Sequence, residues 1–138
     1  MIVVKINKED LSDKFLEDLH YSVFDYQLPA SYFRYDLCMV VKNDEGELVT
    51  YALIKELTSD TVELAWGGTS KEFRGIPTFK ATNLIIEECF KHYENVSFQT
   101  WNKNHSMIKV GLSLGFDIIG IRQSQESNVF LLFNKKRG

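Results

Sequence analysis

Cysteine and proline are scarce in this chain, with two of each in 138 residues. Cys38 and Cys89 stand alone and far apart, without a CxxC pair or a histidine at zinc-ligand spacing. That excludes a disulfide scaffold and a zinc finger, and two free thiols fit a reducing, cytoplasmic setting. Long apolar runs are missing as well. None approaches the ~20 residues that cross a bilayer, so no membrane partner is expected. The start, Met1 to Asn7, lacks the charged head, long apolar stretch and cleavage site of a signal peptide. There is no surplus of positive charge either: 16 basic against 19 acidic residues leave −3, which argues against a nucleic-acid partner. No Walker loop, HExxH, nucleophile elbow or redox motif occurs, which removes hydrolases, kinases and metalloenzymes of familiar type and leaves no metal to expect.

What the chain does have is aromatic side chains and a regular alternation of element signals. Its length suits one domain, 1–138, able to bury a real core without staples. Ile2 to Ile6 reads as a strand, after which Asn7 can cap a helix with Leu11, Phe15 and Leu19 on one apolar stripe. Val23 to Asp36 is aromatic and irregular, broken by Pro29, with room for a short second helix from about Ala30. Leu37 to Val41 and Leu48 to Leu57 form a hairpin around Asn43-Asp44-Glu45-Gly46, and a fourth strand, Thr61 to Gly67, follows the turn Thr58-Ser59-Asp60. Gly67-Gly68-Thr69 ends it.

A polar loop leads to Arg74-Gly75-Ile76-Pro77, with proline suited to the first position of a helix. Phe79, Thr82, Ile86, Cys89, Phe90 and Tyr93 then share one face of about four turns. Val96 to Trp101 is a strand, Asn104 to Leu114 a helix stopped by Gly115, and Phe116 to Arg122 with Asn128 to Phe133 a closing pair. Hairpins early and late around a β-α-β centre predict an α/β (mixed α+β) fold, one mixed sheet of about seven strands with helices on both faces.

That order, with Arg74-Gly75 after the fourth strand and Asn104…Leu114-Gly115-Phe116 further on, resembles the GNAT superfamily of acyl-CoA N-acyltransferases. The resemblance covers nearly the whole chain in topology and two segments in motif. It implies an acetyl or short acyl group moved from acyl-CoA to an amine, on a small molecule or a protein, with a dimer compatible. Ala65, Trp66 and Gly67 on the fourth strand would face the thioester, Arg74, Gly75, Ile76, Pro77 and Thr78 would hold the pyrophosphate, and Asn104 would sit beside the pantetheine arm. A helix N-terminus suits an anion because its free N–H groups and dipole face it. Here Pro77 and Phe79 stand where the family prefers glycine or a small residue.

The family's frequent tyrosine, seven residues after the asparagine, is replaced by Gly111, where alanine should be tolerated and even favour the helix. Glu63 is the candidate base for the acceptor ammonium, a solvated strand carboxylate being the plainer reading. Asn104 reads equally as a helix cap. Tyr26, Tyr32 and Trp101 are the candidate acceptor walls, packing being the alternative. His105, next to Asn104, could also serve as base, although a first-turn helix histidine usually faces solvent, and His20 and His92 read as partly exposed bystanders. The rival reading is a protein that keeps this fold for binding alone.

Overall fold

A computed structural model describes residues 1–138. Its strands are β1 (Ile2–Asn7), β2 (Leu37–Lys42), β3 (Leu48–Thr58), β4 (Thr61–Thr69), β5 (Asn95–Trp101), β6 (Asp117–Gln123) and β7 (Val129–Lys136). The helices are α1 (Asp13–Phe24), α2 (Ile76–Phe90) and α3 (His105–Ser113). All seven strands join one sheet in the order β1-β2-β3-β4-β5-β7-β6, antiparallel except for β4 beside β5. The α2 crossover makes that one pair parallel.

Local chemistry sets the early hairpin. Asn43 Oδ1 accepts from the amides of Glu45 and Glu47, and Gly46 supplies the positive φ of 80° that the turn needs. The sheet then buries a different core on each face. Val62, Val96, Phe98 and Phe133 pack beneath Ile85, Ile86 and Cys89 of α2 and Met107 of α3. Val40, Tyr51 and Leu53 pack beneath Leu16, Leu19 and Val23 of α1.

Several expectations are corrected. Ser12, not Asn7, caps α1, its hydroxyl accepting from the Phe15 amide at 3.1 Å, while Lys8–Asp10 form a separate turn. The buried stripe is therefore Leu16, Leu19, His20 and Val23, and Phe15 is exposed. His20, expected near solvent, is fully buried. Only a single 3-10 turn, Ala30–Tyr32, occupies the place of a second helix. β4 does not stop at its glycines but runs through them to Thr69, because neither breaks the ladder with β3. α2 begins at Ile76, which makes Pro77 its second residue.

Candidate functional site

The parallel strands β4 and β5 pair over only three rungs, Thr61–Asn95, Val62–Val96 and Glu63–Ser97. Beyond them each strand keeps its outer partner, β3 on one side and β7 on the other, so the sheet opens like a V. From Leu64 onward the β4 edge facing β5 has free backbone groups, which a strand-like ligand can bond as an added strand. A bulge reinforces the opening. Leu53 pairs with Trp66 while Ile54 pairs with Leu64, leaving Ala65 as the extra residue. The extra residue shifts the alternation, so Leu64 packs with the α2 core and Trp66 with the α1 core.

A cleft of about 410 Å³ fills the opening and is lined from both faces of the sheet. Thr78, Thr82 and Ile85 of α2 with Met107 and Val110 of α3 form one side, and Phe24, Tyr26, Tyr51 and Trp66 the other. None of its twenty lining residues carries a formal charge. Behind the second side, the His20 ring lies within 4.8 to 5.7 Å of the Phe24, Tyr26, Phe33 and Trp66 rings, centroid to centroid. His20 Nδ1 meets the Tyr51 hydroxyl at 3.3 Å, while its Nε2 and the Trp66 indole nitrogen are buried without a hydrogen bond. Burial lowers the His20 pKa, keeping the ring neutral at pH 7. It also pushes the Tyr51 hydroxyl well above the ordinary phenol range, partly opposed by the neighbouring indole N–H.

Glycine admits this packing. A Cβ at Gly68 would lie 2.7 Å from the Phe24 ring and 2.6 Å from Val23, and one at Gly67 would lie 2.6 Å from the Tyr51 carbonyl. Gly67 and Gly68 therefore let α1 and β3 close against β4, a role their reading as strand enders missed.

At the mouth of the V, Gly75 adopts φ 107°, open to residues without strain only if they are glycine, and caps α2 without a side-chain hydrogen bond. The amides of Gly75 and Ile76 find no acceptor within the chain, and nothing lies within 4 Å of a Cβ built on Gly75. Free N–H groups at a helix start favour a nearby anion. Arg74 is placed differently from expectation: its Nε donates to the Thr69 carbonyl at 3.3 Å and its Nη2 to the Val23 carbonyl at 3.2 Å. It ties the last turn of α1 to the loop before α2, and a neighbouring Lys71–Asp25 ion pair spans the same gap.

Of the other candidates, Ala65, Trp66, Gly67, Thr78, Asn104 and Tyr26 line the cleft. Asn104 does two things, since its Oδ1 caps α3 by accepting from the Met107 amide at 3.2 Å. Glu63 stands at the last paired rung and outside the cleft lining, its carboxylate accepting from Gln99 Nε2 at 3.2 Å, while Gln99 Oε1 accepts from Arg122. Tyr32 is exposed, its ring edge-on to Trp66 and Phe33. Trp101 lies outside the lining at the far end of β5, under the Lys103 ammonium. His92 and His105 lie on the surface.

Gly111 does not face the cleft at all. A Cβ there would lie 2.6 Å from Phe98 and 3.2 Å from Phe133, so alanine is not the harmless change the helix alone suggests. The two thiols are buried and pushed up to about 12 by that burial, which leaves them protonated and without nucleophilic power. A second hollow, about 320 Å³ at the other end of α2, is of opposite character: Lys5, Asp36, Glu56, Glu88 and His92 line it.

The sequence matches no protein-family model and no curated protein. Solved structures do match. The chain is similar to the ribosomal-protein-S18-alanine N-acetyltransferase of Escherichia coli, with TM-score 0.71 and 14% identity over 98% of this chain and 94% of that one. It is similar to an IAA acetyltransferase from Bacillus cereus ATCC 14579, with TM-score 0.75 and 16% identity over 99% of both chains. It is also similar to a GNAT-family acetyltransferase from Bacillus cereus ATCC 10987, with TM-score 0.74 and 19% identity over 99% and 97%. The chain has the GNAT fold.

Within the GNAT fold of this chain, the sequence pointed to Tyr26 and Trp66 on the aromatic side of the cleft but not to Phe24 and Tyr51 beside them or His20 behind. His20 could have been found from the spacing of Leu16, Leu19, His20 and Val23, which puts all four on one helical face, and Phe24 from its place four residues after His20. Tyr51 and Gln99 carried no signal, because their place depends on where β4 and β5 part.

Proposed function

We propose that this chain is an acyl-CoA-dependent N-acyltransferase that moves an acetyl or other short acyl group to an amine. The observation that supports this most is the parting of β4 from β5 after Glu63 and Ser97, with an uncharged cleft passing through the sheet. The residues fit acyl-CoA. Backbone groups of Leu64 to Gly67 would bond the pantetheine amides, Asn104 would lie beside that arm, and the amides of Gly75 and Ile76 would receive the pyrophosphate. Pro77 contributes no donor there. Acyl-CoA supplies an activated thioester when bound.

The acceptor amine enters from the Phe24–Tyr26–Trp66 side. Its nitrogen lone pair forms the N–C bond, the C–S bond breaks, and the electron pair leaves with sulfur. A thiol of pKa near ~8.5 departs tolerably as the thiolate, so no acid is required of position 111. The nitrogen's proton passes to water, because no carboxylate or imidazole lines the cleft. Backbone N–H groups at the β4 bulge polarise the thioester carbonyl. Glu63 acts on this reading through Gln99, holding the cleft's inner end in place. Both thiols are buried and neither lines the cleft, which supports direct transfer over an acyl-enzyme. Two free cysteines and this cosubstrate suit the cytoplasm.

A binding protein without turnover is the second reading, favoured by the missing proton acceptor and by Pro77. Calorimetry with acetyl-CoA, joined to a thiol-release assay with an amine panel, separates the two. Binding with amine-dependent thiol release supports the enzyme. Binding without it supports the second reading, and no binding at millimolar acetyl-CoA rejects the enzyme and favours the second reading outright.

A further inference from the structure

The cleft contains neither a charge nor a strong base, and that constrains which amines can react in it. Its only titratable lining residues are the phenols of Tyr26 and Tyr51. Behind Tyr51 stands His20, and behind Gln99 stands Glu63, whose carboxylate is already held by Gln99. The carboxylates nearest along α1 and its following loop are engaged elsewhere: Glu17 accepts from the Ala30 amide at 2.6 Å, and Asp25 pairs with Lys71.

An alkylammonium entering such a cleft leaves water with no counter-charge to meet it, which is strongly unfavourable. It would have to arrive neutral. An alkylamine with a pKa near ~10.4 is neutral to only about one part in a few thousand at pH 7. A polyamine is worse placed, because it keeps further charges after giving up one proton. An amine attached directly to an aromatic ring is different, since its lone pair is delocalised and it is already neutral at pH 7. The Phe24, Tyr26 and Trp66 rings that line the cleft offer its ring aromatic partners, and aromatic pairs attract beyond their area of burial.

Building on the acyltransferase reading, we infer that the acceptor is a weakly basic aromatic amine, bound uncharged against the Phe24–Tyr26–Trp66 side of the cleft. The test compares 4-methoxyaniline, 2-phenylethylamine and spermidine as acceptors with acetyl-CoA, measuring kcat/KM from pH 6.5 to 9. The expected order at pH 7 is 4-methoxyaniline first by at least tenfold, then 2-phenylethylamine, with spermidine last. Values for 4-methoxyaniline should stay flat with pH, while those for 2-phenylethylamine climb about tenfold per pH unit as its neutral fraction grows.

Tyr26→Glu places a carboxylate at an exposed part of the cleft wall and should narrow the preference at least fivefold, with acetyl-CoA affinity unchanged. Trp66→Leu should lower 4-methoxyaniline turnover more than acetyl-CoA affinity. Equal or better use of either alkylamine at pH 7 overturns the inference. So does a preference that Tyr26→Glu leaves unmoved, or acetyl-CoA binding with no amine acetylated; these outcomes leave the coenzyme reading standing. Absence of acetyl-CoA binding overturns that reading and the inference together.

Discussion

Gly111→Ala sets helix propensity against packing, and the structure decides which wins. In an isolated helix the change stabilises by about 0.5–1 kcal/mol. Here the new methyl carbon would sit 2.6 Å from Phe98 Cζ and 3.2 and 3.3 Å from two Phe133 carbons. Ordinary carbon contact begins near ~3.5 Å, so the Phe98 ring must retreat by roughly 0.9 Å. Its retreat is hindered on two sides: it stacks on Phe133 at 4.5 Å with an interplanar angle of 5° and meets Phe116 edge-on at 4.9 Å, so it can yield only towards the cleft. Overpacking of this kind costs about 1–3 kcal/mol, which leaves a net loss of up to about 2.5 kcal/mol after the helix gain, with a midpoint of about 1.3 kcal/mol. For a chain of this length the midpoint lowers Tm by about 4 °C. Thermal and urea melts of wild type and variant measure it, and an unchanged or raised Tm refutes the reasoning. Because Phe98 also lines the cleft, acetyl-CoA affinity should weaken in the same variant.

Three further outcomes follow from the same geometry. Gly68→Ala drives a methyl into Phe24 and Val23, so it should cost about 1–3 kcal/mol in a urea melt; a neutral result means that α1 does not press on β4 there. Arg74→Ala removes the hydrogen bonds to Val23 and Thr69 and should lower stability by about 1–2 kcal/mol, where a purely ligand-facing arginine would leave the melt untouched. Below an unfolded-state pKa near ~6.5, the unfolded chain takes up a proton that buried His20 resists, so His20 makes stability fall as pH drops from about 6.5 towards its lowered folded pKa. His20→Gln should remove that component of the slope between pH 7 and 5, and identical slopes would contradict a buried neutral ring.

The topology was legible because short-range chemistry dictates it. Asn43 to Gly46 can hardly do other than turn, Gly75 and Gly115 bound helices, and a helix between two strands makes them parallel. Faces were harder to read. Alternation along β4 puts Leu64 and Trp66 on the same side, and a single bulge at Ala65 separates them, a feature no local residue announces. The same limit explains Trp66 and Trp101, which look equivalent as strand-ending aromatics but differ once β4 and β5 part. His20 was misread because polar type outweighed position on α1. Gly111 was misread because its neighbours, Phe98 and Phe133, are brought to it only by the sheet.

If the V between β4 and β5 is the acyl-CoA site, amide-resolved NMR titration of the wild-type chain with acetyl-CoA will map to it. Shifts should concentrate on Leu64 to Gly67, on Gly75, Ile76 and Thr78, and on Asn104, saturating at one equivalent. Shifts confined to the charged hollow around Lys5 and Glu88, or none at millimolar acetyl-CoA, would contradict it.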